Sequence, residues 1–212
     1  MNLFRRLEQL NGIGAALSRE RDIERLLENI LEAAKTLTGA DGGTLYSVTE
    51  SRTALHFEIM RTDSLGIRQG GTTGQRIALP DLPLRHADGS PNDALVAAHS
   101  ALHDRTVNIA DAYAEEGFDF SGTRAFDQRT GYRSQSFLTV PMKNHDGELI
   151  GVLQLLNALD PETGQVVAFS EADQSLTESL ASQAAIALSN RLLITQLERL
   201  FESFVKLINI AI

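Results

Sequence analysis

Two apolar runs joined by a short polar turn constrain the fold of this chain more than any other feature. Residues 135–142 and 149–156 are rich in apolar side chains, and Asn-His-Asp-Gly at 144–147 lies between them. A turn sequence between two strand-like runs predicts an antiparallel hairpin. The preceding segment, 118–132, carries four aromatic side chains among polar residues and is predicted to be a loop that covers the sheet as a lid. Such a lid predicts a small-ligand site.

Composition narrows the classes of function. The 212 residues are 42% hydrophobic, enough for one substantial core but hardly for two full domains. The formal net charge of −9 opposes binding to nucleic acids or to anionic membranes. The chain has no cysteine, which excludes thiolate metal sites, disulfides and cysteine nucleophiles. Because no apolar run reaches the length of a membrane span, we expect a soluble protein, and the absence of cysteine fits a cytoplasmic location.

The N-terminal segment contains two helical patterns. In the first, leucines form one narrow apolar seam at Leu3, Leu7, Leu10 and Leu17. A seam of this kind implies a partner helix, and residues 1–20 are predicted to form a dimerisation helix. The second, broader pattern follows Ser18, a weak helix cap, and ends at Gly39. This helix is predicted to lie on the sheet.

The middle of the chain is predicted to complete the sheet. Residues 43–48 and 54–60 alternate apolar and polar side chains around a polar turn, as in a hairpin. Residues 61–92 lose this periodicity and gather glycine and proline, so we predict an irregular excursion with one short strand. Asp93 is predicted to cap a short helix that ends near Leu102, and a brief strand follows.

A long helix is predicted from about Ser170 to the end of the chain, because this segment lacks proline and glycine. Its second half has apolar residues at the spacing of a coiled coil, namely Leu193, Leu197, Leu200, Phe204, Leu207 and Ala211. A parallel homodimer is the simplest use of this seam. The last six residues are almost wholly apolar, so we expect the natural protein to continue into another domain.

Several short motifs occur one after another in the second half of the chain. They are Asn-Ile-Ala-Asp-Ala-Tyr at 108–113, Val-Pro-Met-Lys-Asn at 140–144 and Gly-Glu-Leu-Ile-Gly-Val-Leu-Gln-Leu-Leu-Asn at 147–157. Residues 21–190 therefore resemble a GAF domain. The resemblance implies an α+β fold with a central antiparallel sheet, helices on one face, a lid and pocket on the other, and long terminal helices. It also implies a sensor domain at 21–175 and a signalling helix at 176–212.

Within this superfamily the chain is similar to the GAF domains of cyclic-nucleotide phosphodiesterases and bacterial adenylyl cyclases. Their signature is Asn-Lys, then Phe, then Asp-Glu, and Asn157, Phe169 and Asp173 match it. Ala158 and Gln174 replace its lysine and glutamate. In the family the lysine can pair with the aspartate, whereas Ala158 cannot. Asp173 is therefore expected to act through the dipole of the final helix, and a cyclic nucleotide is a weaker expectation than an unidentified ligand or none.

The tail at 200–212 is similar to the helix that precedes HD-GYP phosphohydrolase domains in bacterial signalling proteins. The resemblance implies an output domain that is a metal-dependent hydrolase of cyclic di-GMP or a related phosphodiester. The metal-binding His and Asp motifs of such a domain do not occur in this sequence, so this chain would be the sensor part.

The resemblance to GAF domains also implies a set of ligand-binding residues. They are Thr44, Val96, Ala97, Ile109, Asp111, Tyr113, Phe126, Asp127, Thr130, Ser134, Gln154 and, from the signature, Asn157. Gln154 stands out independently, because it is the only side-chain amide in the run 149–156, on the strand face of Ile150 and Val152. A buried amide needs hydrogen-bond partners, supplied either by a ligand or by the lid backbone and water.

Ordinary structural roles compete with binding at several of these positions. Asp127 is followed by polar residues and Gly131, which is also the pattern of a turn. Asp111 is expected to fix the turn after the strand at 106–109. The four aromatic side chains at 118–132 could cover a planar ligand, but core packing is favoured for two of them.

Metal and catalytic sites are not predicted. His99 and His103 lie one helical turn apart, a spacing that can chelate a metal. A third ligand would have to come from a histidine that no motif places, so surface histidines are the favoured interpretation; the candidates are His56, His86 and His145. The run 70–74 lacks the Gly-Lys-Ser/Thr ending of a phosphate loop. No serine has a positioned His-Asp pair, and no cofactor is implied.

The sequence therefore predicts a regulatory, non-enzymatic GAF sensor of a bacterial signal-transduction protein. In this hypothesis a small ligand orders the lid and shifts the final helix. The alternative is a purely structural dimerisation module whose pocket is filled by its own aromatic side chains. An enzyme similar to the free methionine sulfoxide reductases is set aside, because those need cysteines.

Overall fold

The computed structural model describes residues 3–210, and the side chains of residues 5–206. In this part of the chain the elements are α1 (Leu3–Leu17), α2 (Ile23–Thr38), β1 (Ala40–Val48), β2 (Ala54–Thr62), β3 (Ile67–Gly70), a 3-10 helix (Gly71–Thr73), β4 (Leu82–Pro83), α3 (Val96–His103), β5 (Val107–Ile109), α4 (Ser121–Thr130), β6 (Phe137–Lys143), β7 (Leu149–Leu159), β8 (Val166–Val167) and α5 (Glu171–Ile210). The predicted seam position Leu3 and the apolar ending at 207–212 lie outside the described side chains. None of the described helices is long and apolar enough to cross a membrane.

The strands form one antiparallel sheet in the order β3-β2-β1-β7-β6-β5, with β4 added to β2 and β8 added to β7. Both predicted hairpins, β1–β2 and β6–β7, are present, and the pairing of β1 with β7 joins them. The excursion at 61–92 contains β3 and β4, one more short strand than predicted. The predicted α+β fold with a central antiparallel sheet is confirmed.

Helices α1, α2 and α5 cover one face of this sheet. Their apolar side chains and those of the central strands form the largest core cluster, in which Leu26, Ile30, Leu153 and Leu180 are fully buried. Each such side chain stabilises the fold by about 2 kcal/mol. Two smaller clusters form on the other face, around α3 and the residues that lead into α4. One face of the sheet therefore packs against the main core, whereas the other face carries two smaller apolar clusters and a cavity.

The partner that the α1 seam needs is supplied within the same chain. Leu10 and Leu17 are buried in the core cluster shared with α2 and α5. Leu7 is 45% exposed. Two of the three described leucines of this seam therefore pack within a single copy of the chain.

The starts of α2 and α3 differ from the sequence prediction. Asp22, not Ser18, caps α2 by accepting a 3.0 Å hydrogen bond from the Arg25 N–H. The residue at the cap of α3 is Leu95, and the Asp93 carboxylate contacts two histidines instead. Both predictions are wrong by a few residues because side-chain patterns locate helix ends poorly.

The segment predicted to be a loop over the pocket is a helix. It forms α4, which ends at Gly131; this glycine has a left-handed φ of +71°, and its N–H donates to the Asp127 carbonyl oxygen. The loop prediction is wrong because a polar segment without proline can still form a helix. The single glycine inside this helix lowers its stability by only about 1 kcal/mol relative to alanine. The lid over the sheet is therefore the short helix α4.

Candidate ligand-binding site

A cavity of about 500 Å³ lies between the sheet and α4. Strands β1, β2 and β7 form its floor, α4 forms its roof, and residues around β4 close one side. This volume is in the range of small-molecule sites.

A row of polar side chains lies on the sheet face beneath the cavity, and Thr44 and Gln154 of this row line the cavity itself. Thr44 of β1 and Thr139 of β6 are each paired with Gln154 of β7, so the three side chains share one face of the sheet. The Gln154 amide donates a 3.0 Å hydrogen bond to Thr139 Oγ1 and accepts a 3.3 Å hydrogen bond from the Tyr46 hydroxyl. Burial raises the pKa of Tyr46 above its ordinary value, which keeps this hydroxyl protonated.

Gln154 retains hydrogen-bonding capacity for a ligand. A glutamine amide offers two N–H donors and two acceptor lone pairs, and Thr139 and Tyr46 engage one of each. The expected internal partners were lid backbone and water, but neighbouring strands supply them. Ile150, expected on the same face as Gln154, packs into the opposite core because the β6–β7 register shifts near the hairpin turn.

The first turn of α4 borders the cavity through Ser121, Gly122 and Thr123. A helix N-terminus attracts negative charge because its first N–H groups lack intrahelical acceptors. The Asp119 carboxylate accepts the Ser121 N–H at 2.8 Å, and hydrogen bonding from Ser121 lowers the pKa of Asp119. Among the lining residues of the described chain, Arg129 in the last turn of α4 is the one cation.

The remaining walls of the cavity are largely apolar. They are formed by Phe57, Met60, Phe126, Phe137 and Leu156, together with leucines near β4. Apolar walls with a few polar groups suit a ligand that has a flat apolar body and one or two polar edges.

A buried carboxylate fixes the C-terminal end of α4. Asp127 is 4% exposed and accepts hydrogen bonds from the Tyr113 hydroxyl at 2.7 Å and from the N–H and hydroxyl of Ser134, both at 2.8 Å. The hydrogen bond to Asp127 raises the pKa of Tyr113. Asp127 therefore ties α4 to the segments before and after it instead of forming the predicted loop turn.

Two further contacts hold the segment that follows α4. The Tyr132 hydroxyl donates a 2.6 Å hydrogen bond to the Asp41 carboxylate at the start of β1. Asn157, with a left-handed φ of +54°, accepts two backbone N–H groups and donates to one carbonyl of the segment 133–136. Asn157 thus clamps the chain between the roof and β6.

Four of the positions predicted from the resemblance line the cavity, namely Thr44, Phe126, Ser134 and Gln154. Val96, Ala97 and Ile109 are buried in the clusters around α3, so they support the cavity from behind. Asp127 and Asn157 belong to the network that holds the roof.

The remaining predicted positions hold the loops around α4. Asp111 accepts a 2.9 Å hydrogen bond from the Tyr113 N–H, which confirms its expected role in the turn. The Thr130 hydroxyl donates to a carbonyl of its own helix. Phe118 and Phe120 pack into the core beside α3, as expected for two of the four aromatic side chains.

Sequence reasoning missed most of the apolar wall and the first turn of α4. The two-residue period of β2 could have indicated Met60 and Thr62, because they share the face of the neighbouring Thr44. Ser121 and Arg129 could not be placed while their segment was interpreted as a loop.

The glycine-rich run 70–74 contains the 3-10 helix and does not cradle phosphate. The Glu28 carboxylate of α2 accepts hydrogen bonds from the Thr72 N–H at 3.0 Å and from its hydroxyl at 3.1 Å. A carboxylate at this point repels anions, so the run links α2 to the sheet edge.

The profile of the family described as GAF domain matches residues 22–188. The chain belongs to the GAF family. GAF domains are regulatory domains that sense small molecules.

Part of this GAF domain is similar to a phosphodiesterase. Over 95 residues it is 36% identical to the dual 3′,5′-cyclic-AMP and -GMP phosphodiesterase 11A of Takifugu rubripes, a match that covers 45% of the chain. The chain spans 10% of the length of that relative.

Two solved structures share the fold over most of the chain. The GAF domain from a phosphoenolpyruvate-protein phosphotransferase of Coxiella burnetii aligns with 92% of this chain and 99% of that one, with a TM-score of 0.67 and 16% identity. The free methionine-R-sulfoxide reductase from Neisseria meningitidis aligns with 89% and 91%, with a TM-score of 0.60 and 19% identity. At these identities the likeness shows the fold alone.

Proposed function

We propose that this GAF domain is a regulatory sensor that binds a small molecule beneath α4 and transmits its state through α5. The observation that carries this proposal is the Gln154 amide on the cavity floor. Within the described residues, Thr139 and Tyr46 engage two of its four hydrogen-bonding positions. The apolar walls around it can bury the body of a ligand.

The proposed ligand has a flat apolar body, an amide-like or purine-like edge and a negatively charged group. The edge would pair with Gln154 and Thr44, and the anion would lie near Arg129, because the Asp119 carboxylate already occupies the first turn of α4. Cyclic nucleotides have these parts, and one relative carries cyclic AMP and cyclic GMP in its name. Ala158 stands where the family signature has lysine, so cyclic nucleotides are the first candidates to test rather than the assigned ligand.

We propose that α5 carries the signal because its start is linked to the cavity wall. The Asn108 side chain of β5 donates to the Phe169 carbonyl at 3.2 Å and to Gln174 Oε1 at 3.3 Å. Strand β5 pairs with β6, which supplies Phe137 to the cavity. A ligand that prefers one arrangement of these strands would shift the start of α5.

The distal part of α5 is proposed to pair with a second copy of the chain. Its coiled-coil positions Leu193, Leu197, Leu200 and Phe204 are 56, 57, 68 and 61% exposed. Pairing would bury this seam. The similarity of the tail at 200–212 to the helix before HD-GYP domains supports a phosphohydrolase of that type as the proposed output.

Ligand binding by the purified chain tests the sensor. Calorimetric titration with cyclic AMP and cyclic GMP, and native mass spectrometry of protein taken from cells, would identify the ligand. Gln154→Leu and Arg129→Ala are expected to weaken binding at least about tenfold. Gln128→Ala changes the exposed neighbour of Arg129 outside the cavity and should bind like the wild type. Wild-type affinity in both cavity variants would contradict the proposal.

Transmission can be measured at a single labelling site, because the chain has no cysteine. Ser203→Cys places one spin label on the exposed part of α5. The distance between the labels of two copies is expected to change when the cavity is saturated. An unchanged distance in the saturated protein would count against signalling through α5.

The second candidate function is a structural dimerisation module without a ligand. It is favoured by Asp127, whose oxygens are engaged by Tyr113 and Ser134 of the same chain. This function predicts a constitutive dimer with no retained small molecule.

A further inference from the structure

We infer that Asp93, His99 and His103 form a zinc-type metal site next to the segment that enters α4, the lid helix. The two histidines lie four residues apart on α3, so they project from one face of the helix. Asp93 Oδ1 lies 3.2 Å from His99 Nδ1 and 2.6 Å from His103 Nε2. One carboxylate oxygen is therefore shared between two imidazole nitrogens.

The ligand atoms of this cluster are close enough together to bind one metal ion after small side-chain rotations. The three ligand atoms lie within 4.8 Å of one another. Ligand atoms bound to zinc at about 2.0–2.1 Å are roughly 3.3 Å apart in a tetrahedron. The side chains of Asp93, His99 and His103 are 48, 28 and 41% exposed, so small rotations can adjust the distances without moving the backbone.

The chemistry of the donors selects a borderline divalent metal. Two imidazole nitrogens and one carboxylate oxygen are a ligand set that Zn²⁺ accepts, with water in the fourth position. The neutral imidazoles and the ionised carboxylate together carry one negative charge, which favours a dication.

Packing fixes one of the ligands and connects the cluster to the lid. The His99 ring meets Phe118 edge to face, with centroids 5.3 Å apart and an interplanar angle of 79°. Aromatic contacts continue from Phe118 to Phe137 of the cavity wall. The Asp119 N–H also donates a 2.7 Å hydrogen bond to the Ala94 carbonyl, between the segments that enter α4 and α3. A metal ion bound by this cluster would therefore fix the segment that enters α4.

The structure supplies a matched control for this inference. His56 Nδ1 lies 2.6 Å from Asp81 Oδ1, and the two side chains are 53 and 47% exposed. This pair reproduces the imidazole–carboxylate contact, but it is not part of the three-ligand cluster. If Asp93 only accepts hydrogen bonds, the two sites should respond to metal in the same way.

Titration of the untagged 212-residue chain with zinc chloride in a non-chelating buffer tests the site. We expect one zinc ion per chain, with affinity at least about tenfold weaker in His103→Ala and in Asp93→Ala and unchanged in His56→Ala. Excess zinc should raise the Tm of the wild type and of His56→Ala but not of His103→Ala, because binding to the folded state alone stabilises it.

The inference is overturned if the folded wild type binds no zinc at micromolar concentrations. It is equally overturned if His103→Ala binds like the wild type, or if His56→Ala loses as much affinity as His103→Ala. Circular dichroism checks that each variant is folded. Should His103→Ala unfold, His103→Gln replaces it, because the amide retains a donor for Asp93 but is a poor zinc ligand.

Discussion

The Arg6 guanidinium of α1 hydrogen-bonds both to the Asp173 carboxylate at the start of α5 and to the Leu37 carbonyl oxygen at the end of α2. The other Asp173 oxygen accepts the N–H and hydroxyl of Ser170, whose hydroxyl oxygen accepts the Asp173 N–H to complete a capping box. Asp173 was expected to act only through the helix dipole, because Ala158 replaces the family's lysine. The structure corrects this, since an arginine from a distant helix provides the pairing charge.

Substitution of Arg6 should therefore destabilise the fold. Arg6→Met removes a charged donor from Asp173, whose side chain is 13% exposed, and is expected to lower the free energy of unfolding by about 2 kcal/mol. Arg5→Met changes the exposed neighbour and should stay within about 0.5 kcal/mol of the wild type. Urea unfolding followed by circular dichroism measures both. Equal losses in the two variants would show that Asp173 does not depend on Arg6.

Glu28 should contribute more to stability than the nearby Glu32. The Arg61 side chain is 2% exposed and donates to Glu28 Oε1 at 2.9 Å. Burial lowers the pKa of Arg61, because the buried guanidinium has lost much of its hydration. Glu28→Ala leaves that charge without its main partner and is expected to cost about 3–5 kcal/mol.

Glu32→Ala is the control for this prediction. Its carboxylate lies 3.8 Å from the Arg61 guanidinium and is 41% exposed, so its loss should cost less than about 1 kcal/mol. Chemical denaturation of the two variants compares them directly. A cost for Glu28→Ala no greater than that for Glu32→Ala would contradict the dominant role of the first pair.

The attachment of the lid helix can be tested at Asp127. Asp127→Ala leaves the N–H of the buried Ser134 without its acceptor, which is expected to cost about 2–3 kcal/mol. Tyr113→Phe removes only the bond from a phenol that is 37% exposed, so it should cost less than about 1 kcal/mol. Amide hydrogen exchange should increase at the end of α4 in Asp127→Ala. Unchanged exchange there would mean that other contacts hold the helix.

The strands of this domain could be predicted from sequence because their patterns are local. The runs at 135–142 and 149–156 correspond closely to β6 and β7, and the two-residue period of a strand singles out Gln154 on the cavity floor, whereas Thr44 is indicated only by the resemblance to GAF domains. Side chains on a strand point to one face or the other, so a correct register places them. The register shift near the hairpin turn is the exception, and it misplaced Ile150.

The roof of the cavity could not be predicted because long-range contacts fix it. The helix α4 has a polar sequence, and its attachments, such as Asp127 to Ser134 and Tyr132 to Asp41, join residues whose proximity no local pattern encodes. The same holds for Asp93, which was assigned to a helix cap although its carboxylate reaches His103 ten residues later. Local sequence patterns therefore predict the strands that form the cavity floor, whereas tertiary packing determines which polar side chains contact one another.

Alkaline pH should weaken the fold through Tyr46. Burial raises the pKa of this phenol above its ordinary value of 10.0, so the folded state retains the proton at a pH where the unfolded chain loses it. The contribution of protonated Tyr46 to the free energy of unfolding is therefore fully present below about pH 10. It is lost as the pH rises toward the pKa of Tyr46 in the folded state. Above about pH 10 the free energy of unfolding should fall by about 1.4 kcal/mol per pH unit from this group alone.

Tyr46→Phe separates this titration from other alkaline effects. The variant loses the hydrogen bond to Gln154 at every pH, so the informative quantity is the slope of stability against pH and not its absolute value. Tyr132, whose pKa is raised by burial and by Asp41, keeps part of the slope in the variant. Urea unfolding at intervals from about pH 8 to about pH 11 should give a shallower decline for Tyr46→Phe than for the wild type. Identical slopes would mean that the phenol already ionises in the folded protein and is not held protonated beneath the cavity floor.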